Sequence, residues 1–261
     1  MKDLTKASTP RRRAEILKLL EKEGQISVSR LSRTFEVSEV TIRNDLHHLA
    51  NQGLLIRTRG GAIWQPPLSV DFHLREKLKR HPKEKKRIGE YAASLVQDGE
   101  TIILDSGTTT LEIANALTRR SFRQLTVVTN ALNLAIVLAN TSGIRVLVPG
   151  GVMRQNALSL VGPIAEQSIQ ELFCDRAFIG VDGIIPQEGI FTPSYEEAYL
   201  NRLMIQQSRQ AVVVTDSSKF GKKSFARITP LDAIDLIITD THLSTSHQEN
   251  LQQAGIEFVM V

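Results

Sequence analysis

Two stretches of this chain carry residue types that could do chemistry. One is Ile103-Leu104-Asp105-Ser106-Gly107-Thr108-Thr109-Thr110, a short apolar run followed by an acid, a glycine and four hydroxyl residues. A strand that turns through such a loop into a helix gathers unpaired amides, hydroxyls and the positive end of the helix dipole, which together seat a phosphate. The loop lacks the Gly-Lys-Ser/Thr of a nucleotide P-loop and the Gly-x-Gly-x-x-Gly of a dinucleotide fold. A phosphorylated small molecule is therefore expected rather than ATP or NAD, with a ligand-free capped turn as the alternative. The other stretch is Ser38–Leu46, Ser-Glu-Val-Thr-Ile-Arg-Asn-Asp-Leu. Ser38 suits a helix N-cap, and Ile42, Leu46 and Leu49 form one apolar stripe at i, i+4 and i+7. The opposite face offers Glu39, Thr41, Arg43, Asn44 and His47, groups that reach phosphates and base edges.

The elements that must position the second stretch precede and follow it. Residues 11–23 read as a helix with Ile16, Leu17 and Leu20 inward and Gly24 at its end. Arg11 to Arg13 oppose the dipole at its start, which points to a phosphate partner; a solvated basic cluster is the alternative. Ile26 is a short extended segment, and Ser27 can cap a helix carrying Val28, Leu31 and Phe35. Glu36-Val37 then turn into the Ser38 helix, making a helix-turn-helix at about 27–46, with Gly53 at its expected C-terminal cap. Leu54 to Ile63 read as a β-hairpin or wing in which Arg57 and Arg59 leave one face toward a phosphate backbone or minor groove. For Arg43, a surface ion pair with Glu39 one turn back is the competing reading.

Trp64-Gln65-Pro66-Pro67-Leu68 breaks regular structure and makes a stiff joint, so 64–83 is read as a linker. Trp64 is either a core anchor or an inter-domain contact. From Glu84 onward helical and strand patterns alternate. Helices are expected around 84–96, from Thr109 to Arg119 and around 131–140. Strands are expected at Thr101–Asp105, Leu125–Thr129, Ile144–Val148, Ala177–Val181, Ala211–Thr215, Leu236–Thr239 and Ile256–Val261. Several are fully apolar, as parallel strands covered on both faces are. The fold class is α/β: an N-terminal winged helix-turn-helix (10–63) plus a C-terminal, mostly parallel open-sheet domain (84–261). Such sheets bind ligands at the carboxyl ends of their strands, where this chain places Asp105, Asn130, Gly150-Gly151, Asp182-Gly183, Asp216 and Asp240.

Charge and composition agree with this division. The 261 residues are 41% hydrophobic and 23% charged, with a formal net charge of +4. Residues 1–80 hold 16 Lys+Arg against 9 Asp+Glu, a net +7, and the remainder is −3. A basic front on a slightly acidic body fits a nucleic-acid module. No signal peptide, membrane-spanning run or internal repeat is read, and the expected location is the cytoplasm. The one cysteine, Cys174, reads as a small core residue, and no Cys/His spacing calls for a metal.

Arg12, Ile16, Leu20, Ser38 and the run Thr41-Ile42-Arg43-Asn44-Asp45-Leu46 resemble the signature of DeoR-type bacterial transcription regulators. The body carries the resemblance onward through 105–110, Thr129-Asn130, Gly150-Gly151, Gly180-Val181-Asp182-Gly183, Glu196-Glu197-Ala198 and Thr215-Asp216-Ser217-Ser218-Lys219-Phe220. It looks most like regulators of amino-sugar and sugar-alcohol use. The resemblance implies an effector domain similar to the sugar-phosphate isomerase and CoA-transferase fold. It implies that Asp45 anchors its helix while Thr41, Arg43 and Asn44 face DNA. It also implies that 105–110 bind the effector's phosphate and that Asp182, Glu197 and Lys219 line its sugar end.

The expectation is a sequence-specific transcription regulator, a repressor of a carbohydrate-utilisation operon. Its partners would be double-stranded operator DNA and a phosphorylated sugar, and it would act as a homo-oligomer, dimer or tetramer. The expected DNA-binding residues are Ser38, Glu39, Thr41, Arg43, Asn44, His47, Arg57 and Arg59. The expected effector-binding residues are Asp105, Ser106, Gly107, Thr108, Thr109, Thr110, Asn130, Gly151, Asp182, Glu197 and Lys219. No catalytic residue, metal or cofactor is assigned. The alternative is an isomerase-like enzyme with a DNA-binding module, since Glu197, Asp182 and Lys219 supply the residue types for a carboxylate base and an oppositely charged group to stabilise an enediolate.

Overall fold

The computed structural model describes residues 8–51, 54–64 and 71–261. The chain forms two compact units, one up to Val70 and one from Asp71 to Val261. In the first, α1 (Thr9–Glu23) ends at Gly24, whose positive φ of 77° lets its amide close on the Leu20 carbonyl. β1 (Gln25–Ser27) leads to α2 (Val28–Phe35), where the Ser27 hydroxyl accepts from the Arg30 amide. Glu36 turns the chain in the left-handed region before α3 (Glu39–Asn51). The Ser38 hydroxyl accepts from the Thr41 amide at 3.2 Å, the cap expected of it.

The wing follows as β2 (Leu55–Arg57) and β3 (Gly61–Trp64), paired antiparallel with Ile56 opposite Ile63. β1 joins the other edge of β3, so the segment at Ile26 completes a three-stranded sheet. Gly61 is required there: a Cβ would lie 2.1 Å from the Ile26 carbonyl oxygen. Ile16, Leu20, Leu31, Phe35, Ile42, Leu46 and Leu55 form the core, and Trp64 packs on it as an anchor. Gly53 and the Pro66-Pro67 joint lie outside the described residues.

The second unit begins earlier than the expected 84. Residues 71–83, read as linker, belong to it and carry α4 (Leu74–Lys79) and the start of α5 (Pro82–Ser94). The reason is polar rather than apolar. α4 buries no residue, and ion pairs, which leave no hydrophobic period, fix this segment to the body. Then come β4 (Thr101–Leu104), α6 (Thr108–Leu117), β5 (Leu125–Thr129), α7 (Leu132–Leu138) and β6 (Ile144–Leu147). A hairpin of β7 (Val152–Arg154) and β8 (Ser159–Val161) precedes α8 (Pro163–Gln170) and β9 (Cys174–Gly180). β10 (Gly183–Ile185), β11 (Gly189–Thr192), α9 (Tyr195–Gln206), β12 (Ser208–Val214), β13 (Ala226–Thr229), β14 (Leu236–Thr239), α10 (Thr245–Gln253) and β15 (Glu257–Met260) complete the chain.

Seven strands form one parallel sheet in the order β15-β14-β12-β9-β4-β5-β6. Its central strands are buried on both faces: Ile102 and Leu104 enter one apolar cluster and Ile103 the other, as do Val212 and Val214 against Val213. Cys174 is a buried free thiol at the start of β9. From β4 the strand order runs outward through β5 and β6 in one direction and through β9, β12 and β14 in the other. The loops after β4 and β9 therefore part at a topological switch point, where an open parallel sheet leaves a crevice. A small antiparallel sheet, β10-β11-β13, carries the chain from β9 to α9.

Candidate functional site

On the first unit, Ser38, Glu39, Arg43, Asn44 and His47 are exposed along α3, with Thr41 half-buried against the Ser38 cap. Arg43 pairs with Glu39 at 2.7 Å, the competing reading for this residue, yet both side chains stay about half exposed and free to exchange partners. Arg57 and Arg59 are exposed on the wing. Val40, 62% exposed at the start of α3, joins this face unforeseen. Its off-stripe position was the signal.

Arg12 and Arg13 overturn an expectation. Both guanidiniums close on one buried carboxylate, Asp45, at 2.6 and 2.8 Å. Arg12 is itself buried, so its role is to tie α1 to α3 from within rather than to meet a phosphate.

On the second unit a cavity of about 250 Å³ opens at the carboxyl ends of β4, β9 and β12. The loop after β4 contributes Ser106, Gly107, Thr108 and Thr109, the last three running into the N-terminus of α6. Asp182 follows β9 and Lys219 follows β12. Glu197 reaches the cavity from the first turn of α9, where the Ser194 hydroxyl caps its amide. Its carboxylate accepts from Ser106 at 3.2 Å, Thr192 at 3.0 Å and Arg154 at 2.8 Å.

Four expected residues do not line this cavity. Asp105 is wholly buried behind it, bonded to Asn201 at 3.2 Å. Burial, and then the Glu197 charge, push its carboxyl well above the usual carboxylate range. The Thr110 hydroxyl donates to the Asp105 and Gly107 carbonyls, shaping the loop. Asn130 is buried and donates to the Leu160 carbonyl, holding β8. Gly151 stands at φ 133° where a Cβ would meet the Val161 carbonyl oxygen at 2.6 Å, so it serves the β7–β8 hairpin. Strand order explains the last two: they follow β5 and β6, away from the switch point.

Four cations and a histidine are what sequence reasoning missed. Lys77 and Arg80 from the α4 segment, His81 and Lys85 from the start of α5, and Lys222 all line the cavity. Lys77 and Lys219 grip the two oxygens of Asp182 at 2.9 and 3.0 Å. Burial raises the Asp182 carboxyl, but Lys219 and Lys77 outweigh it and hold it below its usual range. Burial likewise opposes the Lys77 charge, and Asp182, Glu197 and Asp71 together keep that ammonium above the usual lysine range. Lys85 is different. Desolvation, with Lys219 and Lys77 nearby, brings its ammonium down to about 8, and Lys222 is lowered by desolvation and then by Lys219. These are cations crowded together beside hydroxyls and a helix N-terminus, an arrangement that favours an anion. Asp240 supports it from below, accepting from the Ser217 amide and hydroxyl at 2.7 and 2.9 Å and so fixing the loop that presents Ser218 and Lys219. Among the described residues no group of His, Cys, Asp and Glu is placed to hold a metal ion. No described helix is long and apolar enough to cross a membrane.

Comparison with known proteins assigns both units. Residues 12–66 match the DeoR-like helix-turn-helix domain, and residues 80–241 match the DeoR C terminal sensor domain. The chain belongs to the DeoR family. A putative aga operon transcriptional repressor of Escherichia coli O157:H7 is 38% identical over 97% of this chain and 94% of its own length. The repressor GlcR of Bacillus subtilis is 35% identical over 94% and 93%, and the glycerol-3-phosphate regulon repressor of Escherichia coli K12 is 32% identical over 86% and 88%. Among solved structures, a ribose 5-phosphate isomerase from Methanocaldococcus jannaschii aligns with a TM-score of 0.37 and 17% identity over 52% of this chain and 53% of that one. These DeoR-family relatives are transcriptional repressors, and this DeoR-family chain is a DNA-binding transcription regulator rather than an enzyme.

Proposed function

We propose that this regulator represses a carbohydrate-utilisation operon in the cytoplasm and that a phosphorylated sugar in the cavity releases it from its operator. The observation that carries the reading is the cation cluster beside the Ser106–Thr109 loop. The loop amides and hydroxyls with Lys85 and Lys222 suit a phosphate, while Asp182, Glu197 and Lys219 suit the hydroxyls of a sugar. Asp105 and Thr110 act behind the loop, and Asn130 and Gly151 act through the hairpin. Two relatives are named for an aga operon and a glycerol-3-phosphate regulon, which supports a phosphorylated carbohydrate.

Operator recognition falls to α3 and the wing. Arg43, Asn44, Thr41 and His47 would read base edges, with Glu39 freed from Arg43 to accept from a cytosine amine and Val40 set against a thymine methyl. Ser38, Arg57 and Arg59 would hold phosphates. A dimer or tetramer would present these helices in pairs to a repeated or palindromic site.

Thermal melting with a panel of sugar phosphates, paired with a gel shift on the DNA upstream of its own gene, tests this. One member of the panel is expected to raise the melting temperature by about 5–10 °C at a hundredfold excess over its Kd. The same compound is expected to release the DNA. A gel shift with no sequence preference at any salt concentration, or a panel with no stabilising member, would sink the reading.

A further inference from the structure

Asp71 is the first residue of the second unit; without lining the cavity itself, it pairs with Lys77 of the cavity wall and with Arg154, which stands behind the wall residue Glu197. One carboxylate oxygen meets the Lys77 ammonium at 3.5 Å, and Lys77 in turn holds Asp182. The other takes the Arg154 guanidinium at 2.5 Å, and Arg154 in turn holds Glu197 at 2.8 Å. Asp182 and Glu197, two of the carboxylates lining the cavity, thus each trace back through one cation to Asp71. The hairpin between β7 and β8 braces the same segment, for the Asn156 carbonyl accepts from the Leu74 amide at 2.8 Å and its side-chain amide donates to the Asp71 carbonyl at 3.4 Å.

All of these ion-pair groups are four-fifths or more buried, apart from Asp182 at the cavity edge. Their charges therefore respond to one another far more than exposed pairs would. A ligand whose hydroxyls bond Asp182 and Glu197 must change what Lys77 and Arg154 have left for Asp71. Asp71 stands at the point where the chain leaves this unit for the DNA-binding one.

We infer that Asp71 is a positioning residue that passes the occupancy of the cavity to the segment leading to the DNA-binding unit. This rests on the cavity being the effector site. A mere strut at Asp71 would affect stability and leave ligand-dependent release intact; a coupling residue affects release with ligand binding intact.

The test uses the full chain, wild type and Asp71→Asn, with glucose 6-phosphate, glucosamine 6-phosphate, ribose 5-phosphate, glycerol 3-phosphate and inorganic phosphate as probes. Melting shift reports ligand binding, and a gel shift on the DNA upstream of its own gene reports operator affinity with and without probe. In wild type the active probe is expected to weaken operator binding by about tenfold or more, within the usual range of coupling factors. In Asp71→Asn the melting shift is expected to persist while the weakening falls below about threefold. Arg154→Gln, which cuts only the Glu197 branch, should lose part of the coupling, and the double variant should lose no more than Asp71→Asn alone, since Arg154 acts through Asp71. Arg154→Gln also supplies the reading if Asp71→Asn does not fold. A wild-type response that both single variants retain would overturn the inference and leave the effector site standing. No wild-type response to any probe would overturn both.

Discussion

Single side chains decide most of the chemistry. Arg43 is the residue on which the proposed operator reading rests, and its exposed pair with Glu39 adds little to stability. Arg43→Ala is expected to weaken operator binding by about ten- to a hundredfold, the worth of one good base contact. The melting temperature and the ligand-induced shift should not move; unchanged operator affinity would remove Arg43 from the reading face. Asp45 is the opposite case. Asp45→Ala would remove the buried carboxylate that Arg12 and Arg13 share, at a cost of about 3 kcal/mol, to be read as early denaturant unfolding of the first unit. Lys85 makes the cavity sensitive to pH. Desolvation brings its ammonium down to about 8, and a bound anion favours the charged form. Above that pH each binding event must first restore a proton, so sugar-phosphate affinity should fall between pH 7 and 9, approaching about tenfold per unit at the upper end. Calorimetry at three pH values measures it, and Lys85→Arg should flatten the profile. The position of Asp105 behind the wall, with its carboxyl held toward the neutral form, implies that Asp105→Asn is mild while Thr109→Ala weakens ligand binding.

Elements that announce themselves by periodicity were legible in the chain; those held by polar contacts were not. The Ser38 cap and the stripe of Ile42, Leu46 and Leu49 carry a helix signal strong enough to place α3 to within a residue. The apolar runs at Ile102–Leu104 and Val212–Val214 declare buried parallel strands in the same way. By contrast, α4 buries nothing and β7 and β8 have three residues each, too few for a period of either kind. Yet α4 brings Lys77 to the cavity, and the β7–β8 hairpin sets Arg154 behind Glu197. Lys85 was hidden for a related reason: it lies about twenty residues from the phosphate loop, and only the packing of α5 on α6 closes that distance. The wing shows the same dependence on close approach. Gly61→Ala would set a methyl group against the Ile26 carbonyl oxygen, and the strand shift needed to relieve it should cost about 1–3 kcal/mol. Limited proteolysis is expected to cut the first unit of this variant sooner, while the sugar-phosphate melting shift of the second unit is retained.

The whole molecule joins a basic front to a nearly neutral body. A dimer presenting Arg57 and Arg59 twice would neutralise about four phosphates, so operator affinity should drop about a hundredfold between 50 and 200 mM salt. A flat salt profile in the gel shift would take the wing arginines out of the interface. The crowding of Lys85 and Lys222 around the cavity has a consequence beyond recognition. Desolvated ammonium groups that both feel Lys219 welcome any small anion, and a cell always contains free phosphate and other phosphorylated metabolites. On the proposed reading the sensor never chooses between its sugar and water alone; it chooses between its sugar and a standing crowd of simpler competitors. What trips such a switch is a proportion rather than an amount. A cell rich in background phosphate would need correspondingly more of the cognate sugar before the operon is opened.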